Sequence, residues 1–368
     1  MTRERLHALM QRALDLAARG RGFVEPNPLV GAVVIDAANE VVGEGWHRKF
    51  GGPHAEVNAL DAAGDAAMDG TLLCTLEPCS HYGKTPPCVD RVISAGVKRV
   101  VAAMLDPFPE VAGRGVAKLK AAGIDVEVGV MEDEARALNA PYLTLLEKKR
   151  PYVRAKWAMT ADGRTAAVDG SSKWITGELA RAHAHRVRGM MDAIIVGSGT
   201  ILADDPMLDA RGDVRRKATR VIVDSRARTP TTSKVVATAS AWPTLIVVGD
   251  NVSAEATAPF EQGRCEVLRL PTSGDGRISL GALAEEMGRR RWTNVLVEGG
   301  AELLGGFLTE GLIDGVDLYI APKVVGGRDA QGAVGGVGLP NIASALPLVA
   351  GEVERFGEDF YVPMTVRR

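Results

Sequence analysis

Residues 75–88 read TLEPCSHYGKTPPC, with Pro78 and Cys79 near one end and Cys88 at the other, and residues 51–56 upstream read GGPHAE, ending in His54, Ala55 and Glu56. These two stretches decide the reading of the N-terminal half. A catalytic zinc takes three protein ligands and keeps one position for water. One imidazole, from His54, and two thiolates, from Cys79 and Cys88, supply the three. Zinc lowers the pKa of water held there towards neutrality. A carboxylate close by, but off the metal, must then carry the proton to a leaving amine. Glu56 lies two residues after His54 at the start of a predicted helix, which sets its carboxylate beside the metal without occupying it. A structural zinc competes with this reading. It needs a fourth protein ligand, for which Cys74 and His81 are the candidates. Cys74 stands at a strand position and reads better as a small buried hydrophobe.

Around the motif, strand-like and helix-like segments alternate. Residues 30–35 and the run near Val41, joined by a polar turn, predict a hairpin. A helix opens at His54, strands are expected over 70–76, 99–104 and 126–130, and helices over 88–95 and 116–122. Strand–helix–strand with short connections predicts parallel pairing in a three-layer domain. Residues 132–150 read as one helix ending in Lys148, Lys149 and Arg150 before Pro151. The boundary is placed there, giving domains 1–150 and 151–368, because a helix seldom runs through the residue preceding proline. Met1 to Gly20 is an amphipathic helix pattern, not a signal peptide.

The second half restarts with a strand over 152–157 and a helix over 178–190. Strands follow at 192–197, 220–224, 244–248, 266–270, 294–297 and 316–320, so a second α/β domain is expected. Glu298, Gly299 and Gly300 sit between a strand end and a helix start, where free backbone N–H groups suit a phosphate. No G-x-G-x-x-G fingerprint accompanies them. Pattern alone leaves a plain α/β binding domain open.

A chain of 368 residues with 46% hydrophobic and 24% charged residues is an ordinary soluble two-domain composition. A net charge of −2 argues against a nucleic-acid-binding surface. No apolar stretch approaches a membrane span. A cytoplasmic protein with no nucleic-acid or membrane partner is expected. Its four cysteines, three of them clustered, are more useful on a metal than in disulfides.

His-x-Glu followed by Pro-Cys and a second cysteine is the pattern of zinc nucleobase deaminases, in which two residues usually separate the cysteines. Here eight do, residues 80–87. With residues 26–31, PNPLVG, this expanded motif resembles the bifunctional riboflavin-biosynthesis deaminase/reductase family. The second half is similar to that family's reductase at residues 155–166, 172–176 and 199–206. The resemblance implies a cytidine-deaminase-like three-layer α/β/α domain, then a dihydrofolate-reductase-like α/β domain. It implies Zn2+ in the first, NADPH in the second, and a small phosphoribosylamino pyrimidine as substrate. The first domain would deaminate 2,5-diamino-6-(5-phosphoribosylamino)pyrimidin-4(3H)-one, and the second would reduce the ribosyl group to ribityl. A homo-oligomer, dimer or tetramer, is expected.

The same resemblance implies NADPH contacts at Ala158, Trp174, Thr200, Asp204, Ser225 and the segment Gly300, Ala301, Glu302, Leu303, Leu304, Gly305 and Gly306. Substrate contacts are implied at Asn27, Lys156, Ser172, Arg188, Leu208, Arg211 and Glu298. Arg188 and Arg211 suit a bidentate clamp on the ribose phosphate. Asp204 or Lys156 suits delivery of the proton that accompanies hydride. Two other readings compete: a nucleoside or tRNA deaminase fused to an unrelated α/β domain, and a structural-zinc regulator that binds a phosphometabolite.

Overall fold

The computed structural model describes residues 1–211 and 215–367. The chain divides into two compact units, Met1–Lys148 and Lys149–Arg368. The first runs α1 (Arg3–Ala18), β1 (Gly31–Ile35), β2 (Val41–Trp46), α2 (Ala55–Ala63), β3 (Thr71–Cys74), α3 (Cys88–Ser94), β4 (Arg99–Ala102), α4 (Arg114–Ala121), β5 (Asp125–Val128), α5 (Glu132–Leu138) and α6 (Ala140–Lys148). Its sheet has the order β2-β1-β3-β4-β5. The hairpin and the β1–β3 pair are antiparallel, and β3, β4 and β5 are parallel.

Two glycines let helices close on both faces of this sheet. A Cβ at Gly31 would lie 2.0 Å from the Ala13 carbonyl oxygen of α1, and one at Gly45 would lie 2.4 Å from the Ala59 nitrogen of α2. Leu6, Leu9, Met10, Ala13, Leu14 and Ala17 of α1 are buried against the sheet, as their helical spacing predicts. The helix expected over 132–150 is instead two helices. Pro141 has no N–H to continue the first helix and disfavours helical backbone at Ala140. Asn139 at the break exchanges hydrogen bonds with the Leu29 backbone, accepting from its N–H at 2.8 Å and donating to its carbonyl at 3.0 Å. The end of that predicted helix belongs to the second unit, where Arg150 forms a buried bidentate pair with Asp314 at 2.5 and 3.1 Å.

The second unit runs β6 (Tyr152–Thr160), α7 (Glu178–Arg188), β7 (Ala193–Gly197), α8 (Ser198–Asp204), β8 (Thr219–Val223), α9 (Lys234–Ala237), β9 (Thr244–Gly249), α10 (Ala254–Gln262), β10 (Glu266–Leu270), α11 (Leu280–Arg289), β11 (Asn294–Glu298), α12 (Ala301–Thr309), β12 (Gly315–Ala321), β13 (Leu348–Ala350), β14 (Glu354–Phe356) and β15 (Asp359–Val366). These strands form one ten-stranded sheet, β10-β9-β8-β7-β11-β6-β12-β15-β13, with β14 on β15. From β10 to β12 every pairing is parallel, and β15 closes the run antiparallel to β12. Strands such as β9, buried along their full length, are the continuous apolar runs that helices on both faces require. The carboxyl ends of β6, β7, β8 and β11 therefore share one edge, the edge at which open α/β sheets bind ligands. Among the described residues no helix is long and apolar enough to cross a membrane.

Candidate zinc centre and reductase site

His54 is the N-cap of α2, Cys88 is the first residue of α3, and Cys79 lies in the loop after β3. This places three ligand atoms within 4.8 Å of one another, and among the described residues no other such group forms. His54 Nδ1 is 3.5 Å from Cys79 Sγ and 3.2 Å from Cys88 Sγ. Tetrahedral zinc with bonds of about 2.0 Å to nitrogen and about 2.3 Å to sulfur needs an N···S separation of about 3.5 Å. The residues therefore fit the ion. The Cys88 contact, with His54 and the Cys88 N–H, lowers the Cys79 thiol, and the same contact pushes Cys88 up.

Glu56 is 3% exposed, and its Oε2 has no hydrogen-bond partner. Burial raises its carboxyl to about 7. The candidate fourth ligands stay away. Cys74 directs its thiol at the Val101 carbonyl, 3.8 Å distant, and neither Cys74 nor His81 joins the ligand group. Three side chains with a buried carboxylate beside them remain, the arrangement expected of a catalytic centre rather than of a closed structural one.

Two neighbours of this centre, His47 and Thr85, are not singled out by the sequence. His47, at the end of β2, is 3% exposed. Its Nδ1 donates to the Pro53 carbonyl at 3.1 Å, and its ring stands edge-on to that of His54 at 5.2 Å. Burial lowers its pKa, and its Nε2 lies 3.5 Å from Asn27 Nδ2. Asn27 thus reaches the centre through His47. Thr85 Oγ1 lies 3.3 Å from His54 Nε2. His81 has a buried Nδ1 without a partner, and its ring is 5.8 Å from that of Phe108. Glu77 of the quoted motif has a structural task. Its carboxylate accepts from the backbone N–H groups of Asp106, Gly113 and Val116 at 3.3, 2.9 and 3.0 Å.

In the second unit, Glu298 at the end of β11 is held by two cations. Arg188 of α7 donates Nε–H and Nη2–H to its two oxygens at 2.5 and 2.7 Å, and Lys156 Nζ of β6 is 3.6 Å away. Burial alone would raise the Glu298 carboxyl, but Arg188 and Lys156 outweigh it and hold it down at about 2. Lys156 is itself lowered by burial, despite Glu298, and its ammonium faces the Tyr319 ring at 5.5 Å. The fork of Arg188 that suits a phosphate is therefore engaged by Glu298, with Nη1 near the Asp209 carbonyl at 3.3 Å.

Gly299 and Gly300 have φ of +68° and +76°, and a Cβ on either would stand 3.4–3.5 Å from Thr200 Oγ1 of α8. Their bare backbone opens α12 with no side-chain cap. This cradle beside Thr200 fits a phosphate-bearing cofactor. Ser225 sits after the neighbouring β8, where its Oγ accepts from the Ile278 N–H at 3.2 Å. Ala158 packs against the cluster of Ala180, Tyr319 and Tyr361. Trp174 is 63% exposed under the Arg181 guanidinium, and Lys323 Nζ ties down its carbonyl at 2.8 Å. Asp204 pairs with Lys173 at 3.2 Å, and Ser172 lies half-buried in the preceding loop.

The rest of the expected set is not gathered there. Leu304 lies in the hydrophobic core. Gly305 is filled from the other side, since a Cβ would meet the Gly335 carbonyl oxygen at 2.1 Å, and Gly306 packs on Leu280. Glu302 turns to Arg277 and the Gly336 N–H, at 2.8 and 3.1 Å, and Ala301 and Leu303 flank the cradle. The Leu208 side chain is in a core cluster, and Arg211 is mostly exposed beside Asp209.

Residues 151–362 match the family described as the RibD C-terminal domain. Residues 3–104 match the cytidine and deoxycytidylate deaminase zinc-binding region. The chain is 41% identical over 358 residues to the riboflavin biosynthesis protein RibD of Actinobacillus pleuropneumoniae, covering 97% of this chain and 94% of that one. It is 41% identical over 364 residues to RibD of Aquifex aeolicus, covering 98% and 99%. Among solved structures it is similar to Acinetobacter baumannii RibD, form 1, with a TM-score of 0.85, 36% identity and all of both chains covered. It is also similar to a diaminohydroxyphosphoribosylaminopyrimidine deaminase/5-amino-6-(5-phosphoribosylamino)uracil reductase from Thermotoga maritima, with a TM-score of 0.84, 33% identity and 99% of each chain covered. With three side chains placed to hold a metal in one unit and relatives matched from end to end, this chain belongs to the RibD family, the bifunctional deaminase/reductases of riboflavin biosynthesis.

Proposed function

We propose that the first unit hydrolyses the exocyclic 2-amino group of 2,5-diamino-6-(5-phosphoribosylamino)pyrimidin-4(3H)-one, and that the second reduces the ribosyl group of the product to ribityl with NADPH. The observation that carries the first step is the unpartnered Glu56 Oε2, buried beside one imidazole and two thiols. His54, Cys79 and Cys88 hold zinc, which when bound supplies a Lewis acid that brings the pKa of water towards neutrality. Glu56 takes a proton from the attacking water and passes it to the amine, which leaves as ammonia while the ring carbon becomes a carbonyl. Asn27 and His47 orient the pyrimidine at the rim. The printed name of the Thermotoga maritima relative describes this pair of activities for that protein, which supports the reading.

In the second unit, NADPH when bound supplies the hydride. The backbone of Gly299–Gly300 and the first turn of α12 hold its phosphates, with Thr200, Ser225, Ala158, Trp174 and Asp204 around it. Ser172, Arg211, the Leu208 backbone and the Arg188–Glu298 pair face the substrate. Lys156 supplies the proton that accompanies the hydride. Its burial and lowered pKa support it over the half-exposed, Lys173-paired Asp204. Our reading is of a cytoplasmic homo-oligomer acting on a small molecule without nucleic-acid or membrane partner, and the net charge of −2 supports the absence of a nucleic-acid partner.

The test supplies the phosphoribosylamino pyrimidine and follows ammonia release and then NADPH oxidation. Glu56→Gln is expected to keep its zinc and lose deamination by about 10²–10⁴-fold. Turnover near wild type in a zinc-loaded Glu56→Gln enzyme removes the proton shuttle.

A further inference from the structure

The loop between the two cysteine ligands, residues 80–87, touches the metal-binding histidine on the side away from the sulfurs. His54 turns Nδ1 to Cys79 and Cys88, at 3.5 and 3.2 Å. A ligating imidazole keeps its proton on the other nitrogen. That nitrogen, Nε2, is the one 3.3 Å from Thr85 Oγ1. The loop is pinned where it makes this contact. Lys84 Nζ sits 3.9 Å from the centroid of the Phe50 ring, and the Gly83 N–H donates to the Thr85 carbonyl at 3.3 Å. Pro86 and Pro87 then fix two successive φ angles before Cys88. Cys88 in turn donates its backbone N–H to Cys79 Sγ at 3.3 Å. A stiff three-residue tether thus joins the far end of the His54 ring to one of the thiolate ligands.

We infer that Thr85 is a positioning residue of the zinc centre, its hydroxyl accepting the Nε2–H of His54 and so fixing both the tautomer and the orientation of that ligand. The inference rests on the zinc reading of His54, Cys79 and Cys88. It also gives the expanded spacing a physical role. A two-residue gap has no residue that can pass round the imidazole, whereas an eight-residue one brings a hydroxyl to its far side. Outer partners of ligating histidines are worth about 10–100-fold in metal affinity. Pinning the ring from both ends also keeps the thiolates at ligand distance while substrate enters and ammonia leaves.

The experiment measures zinc affinity directly, by competition with a colorimetric chelator, on the full-length protein. Wild type, Thr85→Val, Thr85→Ser and His54→Ala are compared. Valine keeps the shape and removes the acceptor, and serine keeps the acceptor. The expected result is zinc bound about 10–100-fold more weakly by Thr85→Val, with Thr85→Ser close to wild type. If zinc-free Thr85→Val unfolds earlier than zinc-free wild type, Thr85→Ala, which removes the hydroxyl without replacing it, is read in its place. Equal affinity in wild type and the hydroxyl-free variant overturns the inference while leaving the zinc centre standing. No zinc on the wild type, or undiminished zinc on His54→Ala, overturns the zinc reading itself.

Discussion

Replacing Glu298 with glutamine leaves the shape of the side chain and removes its charge. In the native unit that charge answers two buried cations, the Arg188 guanidinium at 2.5 and 2.7 Å and the Lys156 ammonium at 3.6 Å. The two cations hold the carboxyl at about 2 against an ordinary 4.5. A gap of that size between folded and unfolded chain corresponds to about 3 kcal/mol. Breaking a buried ion pair from one side independently suggests about 3–5 kcal/mol. For a unit of this size, each kcal/mol moves the unfolding temperature by about 2–4 °C, so Glu298→Gln is expected to lower it by roughly 6–12 °C. Differential scanning calorimetry of the full chain at neutral pH reads the shift, with the transition of residues 1–148 as internal control. The pH dependence gives a second check. Because the folded carboxyl titrates below the unfolded one, its contribution is complete above about 4.5 and is lost as pH falls towards about 2. The gap between wild type and Glu298→Gln should therefore close across that window. A shift under about 2 °C at neutral pH, less than 1 kcal/mol, would refute the view that Glu298 is held as an ionised group between Arg188 and Lys156.

Two further expectations concern the same unit. NADPH at about 100 times its dissociation constant should stabilise it by about 2.7 kcal/mol and leave the zinc unit's transition where it was. Protection of the first unit alone would move the cofactor assignment. Gly305→Ala places a Cβ 2.1 Å from the Gly335 carbonyl oxygen and should cost about 1–3 kcal/mol, whereas Gly199→Ala, with nothing within 4 Å, serves as the control. Equal unfolding temperatures for the two variants would show that the 335–336 loop does not lie on α12.

What the sequence makes legible is what is encoded locally. The zinc ligands and Glu56 fall within two short stretches, and their spacing states the chemistry before any fold is known. The alternating strands and helices follow from apolar runs bounded by glycine and proline. The residues that complete the centre are brought in by packing. His47 and Thr85 are an ordinary histidine and threonine in polar loops until the ring of His54 is set between them. Arg188 and Glu298 are separated by 110 residues, so their pairing, and with it the engagement of a guanidinium that reads as a phosphate clamp, is invisible to any local window. The break at Asn139 was signalled by Pro141, against a strong helical pattern on either side. Strand β15 carries Pro363, which demotes a strand reading. Here Pro363 sits opposite Asp317 of β12, and its carbonyl accepts from the Gly351 N–H at 2.8 Å. The glycines at 299, 300, 305 and 306 look like one ligand loop, yet only the two residues Gly299 and Gly300 carry the positive φ of a cradle, while Gly305 and Gly306 serve close packing.

On the proposed assignment, His54, Glu56, Cys79 and Cys88 lie in Met1–Lys148 and the reductase residues lie in Lys149–Arg368. A lesion in one half is then expected to extinguish a single step and leave the other catalysed. A cell could therefore be complemented by two copies of this chain, each crippled in a different half, provided the intermediate can travel between molecules. The covalent link between the halves would in that case supply the two steps in equal numbers.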